Sequence, residues 1–141
     1  MNEGKHIAYL GLGTNLGDKE ANILEAYRLI ETHIGSITKR SAMYHSEPWG
    51  FESDNAFVNT VIKVETSLSP LQLLAATQEQ ERIMGRTHKS TGGVYHDRII
   101  DIDILLYDDI TMQTPELTIP HPLMQQRDFV MQPLKELGVR N

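Results

Sequence analysis

Two strand-patterned segments stand in succession between two helix-patterned ones, and that order is the tightest constraint this sequence places on its fold. The chain begins with a short apolar strand pattern, His6 to Leu12, which runs into Gly11-Leu-Gly13-Thr-Asn15-Leu-Gly17, read as a strand-to-helix turn. Asp18 is placed to cap the helix that follows. From Glu20 to His33, Ile23, Tyr27 and Ile30 recur at helical spacing to make one apolar face, with Gly35 as terminator. Ile37 to His45 and Ala56 to Glu65 then read as consecutive strands. In the second, Phe57, Asn59, Val61, Lys63 and Glu65 share one side while Val58, Ile62 and Val64 share the other. Ser69-Pro70-Leu71-Gln72 combines an N-cap serine, a proline at the first helical position and a glutamine three residues after the cap. This capping box predicts a helix to about Met84, stopped by Gly85. Arg98 to Leu106 is a further strand by its β-branched content, Thr118-Ile119 a short one, and a helix from about Arg127 to Leu137 finishes the chain.

Strand, helix, strand, strand, helix, strand is the split βαβ order of a ferredoxin-like α+β sheet. It disfavours a dinucleotide oxidoreductase, because two successive strands do not make a Rossmann repeat. The glycine spacing G-x-G-x-x-x-G is also one residue longer than the dinucleotide fingerprint. With 141 residues, no linker and no solenoid-period repeat, the expectation is one domain over residues 1–141. The absence of cysteine excludes thiolate zinc sites, thiol redox chemistry and a cysteine nucleophile. Polar residues open the chain where a signal peptide would be apolar, and no apolar run approaches the ~20 residues of a membrane helix. A cytoplasmic protein with no membrane partner is expected. A net charge of −6 argues against nucleic acid, which demands a basic face.

Asp101 and Asp103 carry the sharpest chemical signal. Residues two apart on a strand face the same way, so both carboxylates leave one face while Ile100, Ile102 and Ile104 enter the core from the other. Paired carboxylates repel unless a cation lies between them. Mg²⁺ suits such a pair, since it takes one or two carboxylates and completes its shell with water and substrate phosphates. An ordinary solvated strand face is the competing reading of a bare D-x-D, and the neighbours weigh against it. Arg86, His88 and Arg98 precede the pair, and His121 and Arg127 follow it. Carboxylates for metal, cations for phosphate and a polar loop from Arg86 to Asp97 to exclude water are the parts of phosphoryl transfer. No G-x-x-x-x-G-K-[ST] is present, so a nucleotide must be held without a P-loop. Phe57 and Asn59, with Phe129, are suited to clamp and read a flat heterocycle, although core packing is the commoner use of two phenylalanines. A regulatory module that binds a heterocycle without chemistry would keep that pocket but has no need of the carboxylates and cations.

Gly13-Thr-Asn15-Leu-Gly17, Glu47-Pro48-Trp49-Gly50, Phe57-Val-Asn59, Gly85-Arg86, Arg98-Ile-Ile-Asp101-Ile-Asp103-Ile104-Leu, Pro120-His121-Pro122 and Arg127-Asp-Phe129 occur in an order and spacing that resembles the 6-hydroxymethyl-7,8-dihydropterin pyrophosphokinase family of folate biosynthesis. The resemblance covers Ile7 to about Leu137. It implies a ferredoxin-like αβα sandwich with a mainly antiparallel sheet. The implied activity is transfer of the β,γ-pyrophosphoryl group of ATP to 6-hydroxymethyl-7,8-dihydropterin, giving its diphosphate and AMP. By the same resemblance Asp101 and Asp103 hold two Mg²⁺ ions, and Arg86 and Arg98 steady the transferring charge. Gln78, Glu81, Arg98, Ile104, Thr118, His121 and Arg127 serve ATP. Pterin lies between Phe57 and Phe129, beside Gly13, Ser46, Pro48, Trp49 and Asp101, and is read by Asn59. The resemblance implies small-molecule partners only, and a monomer is expected. The loop from Arg86 to Asp97 departs from the family pattern in length, with His88 where arginine often stands and Tyr95 near an expected tryptophan. Phe57 lacks the hydroxyl found there in some members.

Overall fold

The chain folds in the order β1 (His6–Thr14), α1 (Lys19–His33), β2 (Gly35–Arg40), β3 (Tyr44–Ser46), β4 (Phe57–Thr66), α2 (Pro70–Gly85), β5 (Asp101–Tyr107), β6 (Met112–Gln113), β7 (Thr118–Ile119) and α3 (Asp128–Glu136). This computed structural model describes residues 5–46, 57–85, 99–122, 124 and 128–139, and of Ser46, Asp128 and Phe129 the backbone alone. The sheet runs β2-β4-β1-β5, with β3 also paired to β4. Every pairing among these strands is antiparallel. That is the ferredoxin-like arrangement expected from the element order.

Alternation along the central strands gives the sheet two covered faces. On one, Ala8, Leu10 and Leu12 of β1, Val58, Ile62 and Val64 of β4, and Ile102 and Ile104 of β5 meet Ile23, Ala26, Tyr27 and Ile30 of α1 and Leu73 of α2. On the other, Val61 and Leu105 meet Val130, Met131, Leu134 and Leu137 on and just after α3. Three helices therefore cover the sheet from both sides, as the αβα expectation requires. Among the described residues no helix is long and apolar enough to cross a membrane.

The sequence reading and the structure differ at four places. The strand expected over Ile37 to His45 is two strands, because Ser41 interrupts it. Its Oγ accepts the Val61 N–H at 2.9 Å, taking a bond that a strand carbonyl would otherwise accept. Gly11 and Gly13 lie inside β1 rather than in a turn, and Gly17, with φ 66°, is the turn glycine. Gly35 does not terminate α1. Ile34 is the C-cap and Gly35 opens β2, where a Cβ would stand 2.0 Å from the Glu65 carbonyl oxygen. The hairpin of β6 and β7 adds a strand that the sequence reading lacked.

Candidate active site

Strand register assembles the site on the face that α3 covers. Gly13 lies opposite Asn59 of β4 on one side and opposite Asp101 of β5 on the other. Tyr44 of β3 in turn lies opposite Asn59, and Gly11 lies between Val61 and Asp103. Residues directly opposite in an antiparallel pair point to the same face. A Cβ on Gly13 would stand 2.9 Å from Asn59 Oδ1 and 3.5 Å from Phe57 Cδ1, which places both side chains against the bare glycine backbone. The result is a strip of glycine backbone with an amide and an aromatic ring along one border and two carboxylates along the other. Asn59 is buried, and Phe57, Asp101 and Asp103 are half-buried. The loop that ends β1 is fixed from below, since Asn22 Nδ2 donates to Thr14 Oγ1 at 3.2 Å and to the Leu16 carbonyl at 2.8 Å.

The outer edge of β5 is flanked by two further groups. From α2, Glu81 accepts the Ile102 N–H at 2.6 Å. Beyond β7, the His121 N–H donates to the Leu105 carbonyl at 3.0 Å, which brings His121 Nε2 to 3.9 Å from Asp103 Oδ2. Glu81 is thereby pressed against the carboxylate pair. Its pKa is pushed up to about 8, chiefly by burial, with the Asp101 and Asp103 carboxylates adding to the rise and the Ile102 N–H opposing it.

That crowding is the test of whether a cation suits the site. Three acids share one stretch of strand edge at a cost to the ionised form of Glu81, which a divalent ion would relieve. Among the described residues no group of three or more acidic, histidine or cysteine side chains forms a metal cage by itself. A hard cation with only two carboxylates must take its remaining oxygens from water and from a substrate. Asp101 and Asp103 therefore fit Mg²⁺ delivered with a polyphosphate.

Of the residues expected from sequence, the structure brings together Gly13, Phe57, Asn59, Asp101, Asp103, Glu81 and His121 around the glycine strip and the β5 edge. Gln78 lies exposed on α2 one turn before Glu81, and Thr118 lies on β7. The Ile104 side chain is buried in the core beneath the helices, on the face opposite Asp103. The backbone of Ser46 pairs with Phe57, and that of Phe129 opens α3. Pro48, Trp49, Arg86, Arg98 and Arg127 lie outside the described residues, as does the loop from Arg86 to Asp97 apart from its place in the chain. Gly11 is a site residue that sequence reading assigned only to a turn. The alternation of β1 carried the signal, because Gly11 and Gly13 fall on one side of a strand whose other side is Leu10 and Leu12.

The chain is thus a ferredoxin-like α+β protein with paired carboxylates across a glycine strip from a buried amide. The profile of the 7,8-dihydro-6-hydroxymethylpterin-pyrophosphokinase family matches residues 9–139, and the chain belongs to that family. It is 49% identical over 133 residues to the 2-amino-4-hydroxy-6-hydroxymethyldihydropteridine pyrophosphokinase of Porphyromonas gingivalis, covering 94% of this chain and 90% of that one. The enzyme of the same name from Bacillus subtilis is 39% identical, over 94% of this chain and 78% of the relative. Among solved structures, the HPPK-DHPS triple mutant of Plasmodium falciparum with STZ-DHP superposes with a TM-score of 0.75 at 19% identity. The match takes in 94% of this chain and spans only 40% of that longer one, and it speaks for the fold alone.

Proposed function

We propose that this protein transfers the β,γ-pyrophosphoryl group of ATP to 6-hydroxymethyl-7,8-dihydropterin across the glycine strip of β1. The observation that carries the reading is the single row Asn59–Gly13–Asp101. Two strand spacings, about 9.5 Å, separate the amide that reads a ring edge from the carboxylate that serves the reacting end. A bicyclic heterocycle set beside Gly13 bridges that distance. Phe57 and Phe129 stack on its faces, and Asn59 offers both a donor and an acceptor to its edge. Ser46, Pro48 and Trp49 border the same ring.

ATP takes the β5 edge, between Gln78 and Glu81 on one flank and Thr118, His121 and Arg127 on the other, with Ile104 beneath. Asp101 and Asp103 would hold two Mg²⁺ ions, which would supply charge neutralisation to the triphosphate. The residues of the chain do the rest. The pterin hydroxymethyl oxygen, aligned by Asn59 and the stacking rings, attacks the β-phosphorus. The bond from that phosphorus to the oxygen shared with the α-phosphate breaks, and AMP departs. Arg86 and Arg98 meet the charge in flight. A loose transition state asks little of a base, so the hydroxyl proton needs no dedicated acceptor. We further propose a single-domain, cytoplasmic monomer without a membrane partner, and the net charge of −6 supports the absence of a nucleic-acid partner.

The test is AMP release from ATP, Mg²⁺ and 6-hydroxymethyl-7,8-dihydropterin, with each omitted in turn. Product is expected only when all three are present. Asp103→Ala is expected to lower kcat by about 10³-fold or more, the scale of losing a preorganised electrostatic stabiliser. Full Mg²⁺-dependent turnover in that variant would sink the assignment.

A further inference from the structure

Among the described residues, helix α3 is joined to the sheet by apolar packing and by hydrogen bonds. Met131, Leu134 and Leu137 pack on Val61 and Leu105, a contact that sets the height of the helix. Apolar packing is non-directional, whereas a hydrogen bond sets both the distance and the angle of the groups it joins. Directional contacts lie at the C-terminal end of the helix, where Lys39 Nζ donates to the Leu137 carbonyl at 3.5 Å and Glu136 reaches the segment before β3. Glu136 Oε2 accepts the Ala42 N–H at 2.9 Å and Oε1 accepts the Tyr44 hydroxyl at 2.8 Å. One carboxylate thus grips both ends of the short segment that leads into β3. The bond to Glu136 holds the Tyr44 phenol above its ordinary pKa.

Both partners of this clasp connect to the proposed pterin site. Tyr44 lies directly opposite Asn59 in the β3–β4 ladder. Phe129 lies about two helical turns before Glu136 on α3. We propose that Glu136 is a positioning residue for pterin: by clasping Ala42 and Tyr44 it sets α3, and with it Phe129, at a fixed spacing from the Asn59 side of the pocket. The proposal rests on the pterin reading above. Glu136 is exposed, and exposed hydrogen bonds add little to stability. A merely structural role therefore predicts a small loss of stability with both substrates affected alike. The positioning role predicts a loss confined to pterin.

Calorimetric titration of the full chain with 6-hydroxymethyl-7,8-dihydropterin, in the presence of Mg²⁺ and a non-hydrolysable ATP analogue, separates the two. Glu136→Ala is expected to raise the pterin Kd about tenfold while the analogue Kd stays within about twofold. Tyr44→Phe, which removes one bond and keeps the ring, is expected to raise it about threefold and to add nothing on top of Glu136→Ala. Glu136→Gln keeps one acceptor oxygen and should fall between wild type and alanine. In turnover, the pterin KM rises and kcat holds. Equal weakening of both ligands, unchanged pterin affinity in a folded variant, or additive effects of the two substitutions would each overturn the clasp. A wild-type chain that binds no pterin overturns the pterin reading and this proposal with it, and that outcome is read before any variant is made. Should Glu136→Ala not fold, Tyr44→Phe and Glu136→Gln decide the matter.

Discussion

At the scale of single residues, the site depends as much on a missing side chain as on those present. Gly13 leaves the central strand bare between Asn59 and Asp101, and the first atom a methyl group would meet is Asn59 Oδ1, at 2.9 Å. That atom ends a side chain, so the fold can yield there. What yields is the group that reads the pterin edge. Gly13→Ala is expected to raise the pterin KM by about tenfold, the scale of one misaligned hydrogen bond. The ATP KM and the thermal midpoint should move little. A variant with unchanged pterin KM would show that the ring does not lie beside Gly13. Gly35 presents the opposite case, since its added Cβ would meet the backbone oxygen of Glu65, which has no alternative position. Sequence alone does not separate these two glycines, because what each one faces belongs to a neighbouring strand.

Elements whose signals are local were legible from sequence. The capping box that opens α2 is present as read: the Ser69 N–H donates to Gln72 Oε1 at 2.9 Å, and the Gln72 N–H donates to Ser69 Oγ at 3.3 Å. Ser69→Ala is expected to cost about 1 kcal/mol of unfolding free energy, measured by urea denaturation, without altering turnover. The Asp18 cap of α1 is likewise present, accepting the Ala21 N–H at 3.1 Å. Helix α3 forms despite Pro133 within it, because Val130, Met131 and Leu134 bury an apolar face that outweighs one missing hydrogen bond. The elements that sequence reading missed depend on distant partners. Ser41 breaks a strand through bonds to Thr60 and Val61, and β6, unlike its partner β7 at Thr118-Ile119, left no readable pattern because two residues are too few to show a period. The same holds for the site. Asp101 and Asp103 share a face by spacing alone, whereas the approach of Glu81 to them depends on how α2 lies against β5. The Glu136 clasp joins residues 92 and 94 positions apart and leaves no mark in any local pattern.

For the molecule as a whole, the crowded carboxylates tie stability to pH. Glu81 titrates near 8 in the folded chain, raised chiefly by burial and further by Asp101 and Asp103, against an ordinary value of 4.5. Between those two values the folded state keeps a proton that the unfolded chain has released. Stability therefore falls as pH rises through this window, with a slope of up to about 1.4 kcal/mol per pH unit from this one group. The contribution is complete below about pH 4.5 and has gone above about pH 8. Asp108 acts in another range. Despite some burial, the Ile7 N–H and His6 hold its pKa below the ordinary value of 3.8, so its contribution is lost only as pH falls through the acid range. Urea denaturation of the metal-free protein, in chelator, at intervals from pH 5 to pH 8.5 should show the decline, and Glu81→Gln should flatten it and leave the variant the more stable form at pH 8. A glutamine has no proton to lose, yet its amide oxygen still accepts from Ile102. Parallel profiles for the two proteins would mean that the carboxyl beside Asp101 is already ionised at neutral pH and that the crowding is relieved by another route.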